Sequence, residues 1–395
     1  MHKIDNKRKK TLRRLLFLQA FIEFVRPQDI LPVIGLLKPG FLLLLFTIYL
    51  SIPSYKNIIK SEYVLRLCLA FLFLVSLSVF WSVNTRYAFN NSLGLALMLF
   101  GFVLPFVYSF DSFKDIKKFV DYYIFYLSLA SLFVITHGGK GPGGSLGDEN
   151  DAGLALAMAI PFAGFNMMAE KDKVKKIIYL LCMLVMILGV VASASRGALL
   201  SLLAAILGMA LLSESKFKIL LFLVISGSAV LPFIPDSYYK DMGTISDTKD
   251  ETRKDRILGW EKSIRMFEDN KWFGVGSGNW GWVISKYETY EDIVKYRSHA
   301  GRAAHSIYFT VFPELGILGG GIYFLIILNL LRTYFHRYRN SSALLIRNSA
   351  IISIGVFLVG GVFLSVLYYP FLWYVLAMIV ALDRIQKYDS KISDR

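Results

Sequence analysis

The sequence predicts an all-helical polytopic membrane protein, with about 12 transmembrane helices and one large extracytoplasmic loop. Three observations predict it. Of 395 residues, 55% are hydrophobic and only 18% are charged, against roughly 25% charged in a soluble domain. Long uncharged runs such as Leu67–Thr85, Ile177–Ser195 and Asn348–Leu382 suit spanning helices, which need ~20 apolar residues. Lipid leaves only helices or a closed barrel as ways to satisfy the backbone, and no alternating segment of about ten residues recurs as barrel strands would require.

In chain order the candidate spans run Leu12–Val25, Ile30–Leu50, Tyr63–Trp81, Tyr87–Phe110, Phe119–His137, Ala152–Ala169, Ile177–Ser193, Gly197–Ser213, Phe217–Phe233, His305–Leu331, Asn348–Tyr368 and Pro370–Asp383. Residues 1–234 thus hold the first nine. Residues 235–304 form the outer loop, and residues 305–395 hold the last three with a basic tail. The loop carries twelve acids, twelve bases and many aromatics, a balance that predicts a folded cap of short helices, not a disordered stretch. The basic, then apolar N-terminus lacks a small-residue cleavage site and reads as a retained first helix.

Charge placement decides the class of partner. The net charge of +15 would suit nucleic acid, but the basic residues sit in short clusters between apolar runs. Cytoplasmic loops are rich in Lys and Arg. Clusters at 3–14, 56–66, 114–118, 171–176, 216–218, 332–347 and 384–395 alternate with short outer connections holding only Arg26, Lys38, Arg86, Lys140 and Arg196, the long loop 235–304 apart. Both termini are therefore expected in the cytoplasm. Cys68 and Cys182 lie inside apolar runs and read as packing residues.

Four outer segments carry candidate chemistry. Arg196, in Ser193-Ala-Ser-Arg-Gly-Ala198, lies between two uncharged runs. It reads either as an interfacial arginine snorkelling to headgroups or as a phosphate clamp, since guanidinium binds phosphate oxygens bidentately. Arg256 precedes Trp260 by one turn, and Ile257, Trp260, Ile264 and Phe267 have helical spacing. The following Gly274-Val-Gly-Ser-Gly278 reads as a turn that lets backbone approach a neighbour. It lacks the strand and the Gly-Lys-Ser/Thr of a phosphate loop. His305 opens the tenth span, where a neutral imidazole can take a proton from a hydroxyl or simply bond to backbone. Glu314, about 13 Å further along at 1.5 Å per residue, needs an explanation at membrane depth: an arginine partner, or donors from another helix. In Gly147-Asp-Glu-Asn-Asp-Ala152, Asn150 or Asp151 is expected as a helix N-cap. No metal-ligand cluster has sensible spacing. These parts fit a metal-free, cation-assisted transfer of sugar from a lipid diphosphate.

Taken in order, Ser195-Arg-Gly-Ala198, Arg256-Ile-Leu-Gly-Trp260 with Phe273-Gly-Val-Gly-Ser-Gly-Asn279, and His305-Ser-Ile-Tyr308 with Glu314-Leu-Gly-Ile-Leu-Gly319 resemble the O-antigen ligase and polymerase family of bacterial membrane glycosyltransferases. The opening Phe21-Ile-Glu-Phe-Val-Arg-Pro-Gln28 is similar to the exosortase-associated O-glycosylation ligase subgroup. The resemblance implies a glycosyltransferase of the type-C architecture in the bacterial inner membrane. It implies inverting transfer from an undecaprenyl-diphosphate-linked glycan on the periplasmic side, without metal or other cofactor. It casts Arg196 and Arg256 as the diphosphate clamp, with Arg265 and Arg302 as rivals for the second position. His305 becomes the group that activates the acceptor hydroxyl, with Glu314, Asp151 and Trp260 supporting. Ser306 stands where the family often has Asn, and Lys271-Trp272 where it often has Pro. The acceptor is left open among glycolipid, growing glycan and protein. A transporter or flippase is the rival from another class, and it predicts broken helices at the midplane.

Overall fold

Prolines account for the first departure from the expected spans. The computed structural model describes residues 2–213, 251–296 and 298–393, and every regular element among them is a helix. Helix α1 (His2–Phe24) contains the first expected span. Two short helices follow, α2 (Pro27–Ile30) and α3 (Pro32–Leu36), before the long α4 (Pro39–Ser61). The run expected as one span over Ile30–Leu50 is therefore broken, and its span shifts toward the C-terminus. Each of these prolines opens a helix, where its missing N–H costs nothing. The linking Arg26 and Lys38 adopt left-handed φ of 54° and 43°, which precludes a continuous helix. Lys56 and Lys60 consequently ride on the end of α4.

The chain continues through α5 (Tyr63–Leu77) and α6 (Thr85–Met98), which runs through a π-helical turn at Leu99–Val103 into α7 (Leu104–Ser109). Then come α8 (Phe113–Thr136), α9 (Glu149–Ala169), α10 (Lys173–Ala192) and α11 (Arg196–Leu212). The cap contributes α12 (Glu251–Asp269), α13 (Trp280–Val283) and α14 (Tyr290–Tyr296). The last three are α15 (Tyr308–Arg332), α16 (Ser341–Gly360) and α17 (Pro370–Ser393).

Among the described residues, 8 helical stretches are long and apolar enough to cross a membrane, and Arg196–Leu212 is apolar but shorter. The protein is thus a multi-pass membrane protein, with fewer full-length spans by this measure than the twelve expected. Two reasons are visible. The basic residues of α1 and the Asp383, Arg384 and Lys387 of α17 lie within continuous helices, which dilutes their apolar runs. The expected span Phe217–Phe233 and residues 235–250 of the loop lie outside the described residues.

Two helices form the centre. In α17 every residue from Phe371 to Leu382 is buried, and in α9 every residue from Ala152 to Asn166 is buried. A helix that is apolar all round belongs inside a bundle. Small residues let the neighbours close on α9: Gly153 lies against Ala198 and Ser193, and Gly360 against Leu154 and Ser201, the small-residue contact that dispersion between membrane helices requires.

The cap has its own core of Met266, Val275, Trp280, Val283, Ile284 and Ala304. Its main helix α12 does not bury the face that spacing alone predicts. Trp260 stacks on Phe309 at 5.0 Å and Phe267 meets Phe312 edge-on at 5.8 Å, but Ile257 and Ile264 are exposed. The buried face instead carries Lys262, Ser263 and Met266. Lys262 is drawn in by charge, its Nζ 3.3 Å from Asp292 Oδ2 and 3.9 Å from Glu288 Oε1.

Between α12 and α13, residues 271–280 form a strap against a break in α15. Gly316 (φ 64°, ψ −169°) interrupts that helix just after Pro313. Val275 N–H donates to Pro313 O (2.9 Å) and Gly276 N–H to Glu314 O (2.8 Å), while Ile317 N–H donates to Lys271 O (2.7 Å). Backbone groups freed by the break inside a membrane must find partners, and the strap supplies them. The strap is also tied to the α5–α6 turn, where Asn84 N–H donates to Asn279 Oδ1 at 2.6 Å and Ser277 N–H to Ser78 Oγ at 3.0 Å.

Candidate functional site

His305 lies at the junction of the cap and α15. It is half-buried and takes a left-handed φ of 50°, a backbone state that costs a non-glycine residue about 1–3 kcal/mol. Its neighbours hold it there. Trp260 Nε1 donates to Ala304 O at 3.1 Å, and Ile307 N–H donates to Gly361 O at 2.8 Å. Ser306 is fully buried, and its hydroxyl has no hydrogen-bond partner among the described residues.

The charges around His305 come from three elements. Burial lowers the imidazole pKa below its ordinary value, and the guanidiniums of Arg256 and Arg302 lower it further; Asp148 and Asp255 pull the other way. The result favours a neutral ring able to accept a proton. Arg256 comes from α12, one turn before Trp260. Arg302 comes from the segment leading to His305, and its Nη2 donates to Asp255 Oδ2 at 2.6 Å. The structure thus brings Arg256, Arg302 and Trp260 to His305. Arg265 is exposed and nine residues beyond Arg256, about half a rotation around the helix at 3.6 residues per turn.

Arg196 opens α11, and its turn is held by side chains. Ser195 Oγ accepts from Ala198 N–H (3.1 Å) and donates to Asn150 Oδ1 (2.7 Å), which ties the start of α11 to the start of α9. The N-cap of α9 is Asp148, not Asn150 or Asp151 as expected; its Oδ1 accepts from Asn150 N–H at 2.9 Å. Asn150 is unavailable for capping because its carbonyl serves Ser195. Asp151 instead lies beside the Tyr369 hydroxyl. The starts of α11 and α15 also share a neighbour, since Gly197 lies against Phe363 and Ile307 against Gly361. The residues flanking Arg196 thus tie the start of α11 to the segments around His305, through Ser195 and Asn150 on one side and through Gly197 and the 361–363 turn on the other; the charges that act on His305 are those of Arg256, Arg302, Asp148 and Asp255.

Glu314 takes the second of its two expected roles, accepting from other segments. Its Oε2 accepts from Gly278 N–H (2.8 Å) and Tyr368 Oη (3.0 Å), and its Oε1 from Trp280 N–H (3.2 Å). The glycine turn thus cradles the protein's own carboxyl group. Glu314→Ala leaves two amides and a phenol unpaired in a buried site. The expected cost is about 3 kcal/mol or more, read as a lower melting temperature of the purified protein; an unchanged melting temperature would show the cradle to be idle.

Sequence reasoning missed Asp255 as a member of this region; Asp148 is legible only as one of the acids before α9, and His299 only as a weaker candidate than His305. The available signals were local: Asp255 adjoins Arg256, and His299 lies three residues before Arg302.

Comparison with known proteins adds one finding. Residues 181–324 match the family model described as O-Antigen ligase, a stretch that runs from α10 through the Arg196 turn, the cap and His305 into α15. No curated protein matches the chain.

Proposed function

We propose, from the match of residues 181–324 to the O-antigen ligase family model, an inverting, metal-independent transfer of glycan from an undecaprenyl-diphosphate donor to an acceptor hydroxyl. The family is of the membrane glycosyltransferase type, and it implies lipid-linked glycan substrates in general. The observation that carries the finer reading is the meeting at the start of α15 of two guanidiniums with a half-buried imidazole whose pKa is lowered by burial first and by those cations second.

In this reading the acceptor oxygen attacks the anomeric carbon as the bond to the diphosphate oxygen breaks on the opposite face. His305 takes the hydroxyl proton. Negative charge accumulates on the departing diphosphate, and Arg196 and Arg256, aided by Arg302, offset it as it forms; preplaced charge of this kind is the largest usual catalytic term. Asp151 and Tyr369 flank the α9 side, where they are able to bind sugar hydroxyls. Charge bias supports an outward-facing site. Lys171, Lys173, Lys175 and Lys176 gather at the far end of α9, about 30 Å from Asp148 for a helix of its length, and such clusters favour the cytoplasmic side. The inner membrane is the compartment that fits, with both termini in the cytoplasm.

A transporter also uses a broken helix, and α15 has one. Its freed backbone groups, however, are bonded to the strap. The decisive experiment is the purified protein with an undecaprenyl-diphosphate glycan and glycolipid, glycan or peptide acceptors, followed by product mass. Transfer to one acceptor class is expected, and Arg196→Ala is expected to abolish it with normal protein in the membrane. Full transfer by Arg196→Ala would remove Arg196 from the clamp. Absence of transfer to every acceptor, with movement of donor across vesicles, would favour the flippase.

A further inference from the structure

A line of side chains inside the cap ends at the site. His299 has a side chain only 5% exposed. Its Nδ1 is 3.0 Å from Glu288 Oε1, and its Nε2 is 3.1 Å from the main-chain oxygen of Asp255, the bonded contact; the same Nε2 lies 3.0 Å from Asp255 Oδ1, which has no hydrogen-bond partner among the described residues. Both ring nitrogens therefore face oxygen acceptors. The Glu288 carboxylate is fully buried and also accepts from Ser298 Oγ (2.6 Å) and His299 N–H (2.6 Å). Burial alone would raise its pKa, but these hydrogen bonds, with the charge of Lys262, hold it below the usual range. Glu288 is thus a fixed anchor for the ring. At the other end Asp255 turns Oδ2 to Arg302 Nη2, and Arg302 N–H returns to His299 O at 3.0 Å. Gly259 packs beside the ring, where an added methyl would make ordinary contact at 3.4 Å with His299 Cδ2 and Nε2.

We propose that His299 is a positioning residue for the diphosphate clamp: anchored on Glu288, it locks Asp255 so that Arg302 is aimed at the leaving group beside His305. The proposal rests on the glycosyl-transfer reading above. Its logic is entropic and electrostatic. Arg302 is 43% exposed, and an exposed arginine pays rotamer entropy for each fixed contact. A carboxylate fixed from behind removes that cost before the ligand arrives. Arg256, the next residue after Asp255 on the same helical turn, gains from the same anchorage. His299 itself touches no substrate.

A double-mutant cycle on binding of undecaprenyl diphosphate, the leaving product, tests this without any acceptor. The full-length protein in nanodiscs is used throughout. With Arg302 present, His299→Ala is expected to weaken binding by about tenfold, the usual scale for a hydrogen bond to a charged group. In the Arg302→Ala background the same change is expected to cost less than about twofold, the limit of additivity. Ser263→Ala, which removes the 2.8 Å bond from Trp280 Nε1 elsewhere in the cap core, should give the same small loss in both backgrounds. Asp255→Asn should behave as His299→Ala, because it removes the charge that aims Arg302. Equal losses for His299→Ala in both backgrounds overturn the positioning role and assign the residue to cap stability alone. Failure of the wild-type protein to bind undecaprenyl diphosphate overturns instead the glycosyl-transfer reading beneath it.

Discussion

Replacing His305 by alanine is expected to lower glycan transfer by about 10²–10⁴-fold, the range that general-base assistance contributes, while protein level and donor binding stay near wild type. The pH dependence gives the sharper result. Burial and the Arg256 and Arg302 guanidiniums hold the His305 pKa below its ordinary value, so the ring is a neutral base through neutral pH. Activity is therefore expected to persist into mildly acidic solution and to fall only as pH drops through that lowered value. Removing a cation raises the pKa, so Arg302→Ala should move the acid limb to higher pH in addition to lowering the rate. Asp148→Asn removes an opposing charge and should move the limb the other way. Initial rates from pH 5 to 8 measure both. An acid limb that ignores both substitutions means that some other group titrates.

The second large effect concerns stability. Gly316→Ala is expected to prevent accumulation of folded protein. Its φ of 64° with ψ of −169° lies in a region essentially restricted to glycine, and an added methyl would overlap the carbonyl of Trp272 in the strap. Backbone strain alone costs about 1–3 kcal/mol, and forced separation of strap and helix adds the loss of their hydrogen bonds. Gly321→Ala serves as the control: it lies in the same helix with open space around it, and should be neutral or slightly stabilising because alanine is the better helix former. Membrane content and thermal melting of the two variants decide the matter. Comparable melting would show that the break is not required.

The sequence was informative where one physical rule acted alone. Apolar runs placed α5, α8, α9 and α10 near their observed positions, because a lipid-solvated helix leaves no other solution, whereas α16 starts seven and ends eight residues before the expected Asn348–Tyr368. The rule failed where backbone chemistry intervened, as with the prolines that open α2, α3 and α4. It failed again in α12, where Lys262 is buried by two carboxylates and Ile264 is left outside. Periodicity records hydrophobicity and cannot anticipate a buried ion pair. At the site, Arg196 and His305 are legible as candidates from their positions at the ends of apolar runs, Arg256 from its place one turn before Trp260, and Arg302 only through the family resemblance. Asp148 was not, because capping preference alone does not rank three neighbouring acids and an asparagine. The preference of Asn150 for Ser195 decided the cap, and that is a tertiary contact. His299 was legible as an outer histidine, but its link to Arg302 required the fold of the cap.

The burial of residues 371–382 has a consequence for biogenesis. Synthesis proceeds from the N-terminus, so this axial helix emerges after the helices that enclose it. Phe24, Phe102, Phe119 and Tyr374 make ring contacts across that axis, yet Tyr374 arrives last. Until it does, α1, α7 and α8 surround a vacancy that lipid tails or an insertion chaperone must occupy. Maturation would then be a late threading event, and ribosome stalling just before residue 370 should trap an intermediate sensitive to membrane proteases.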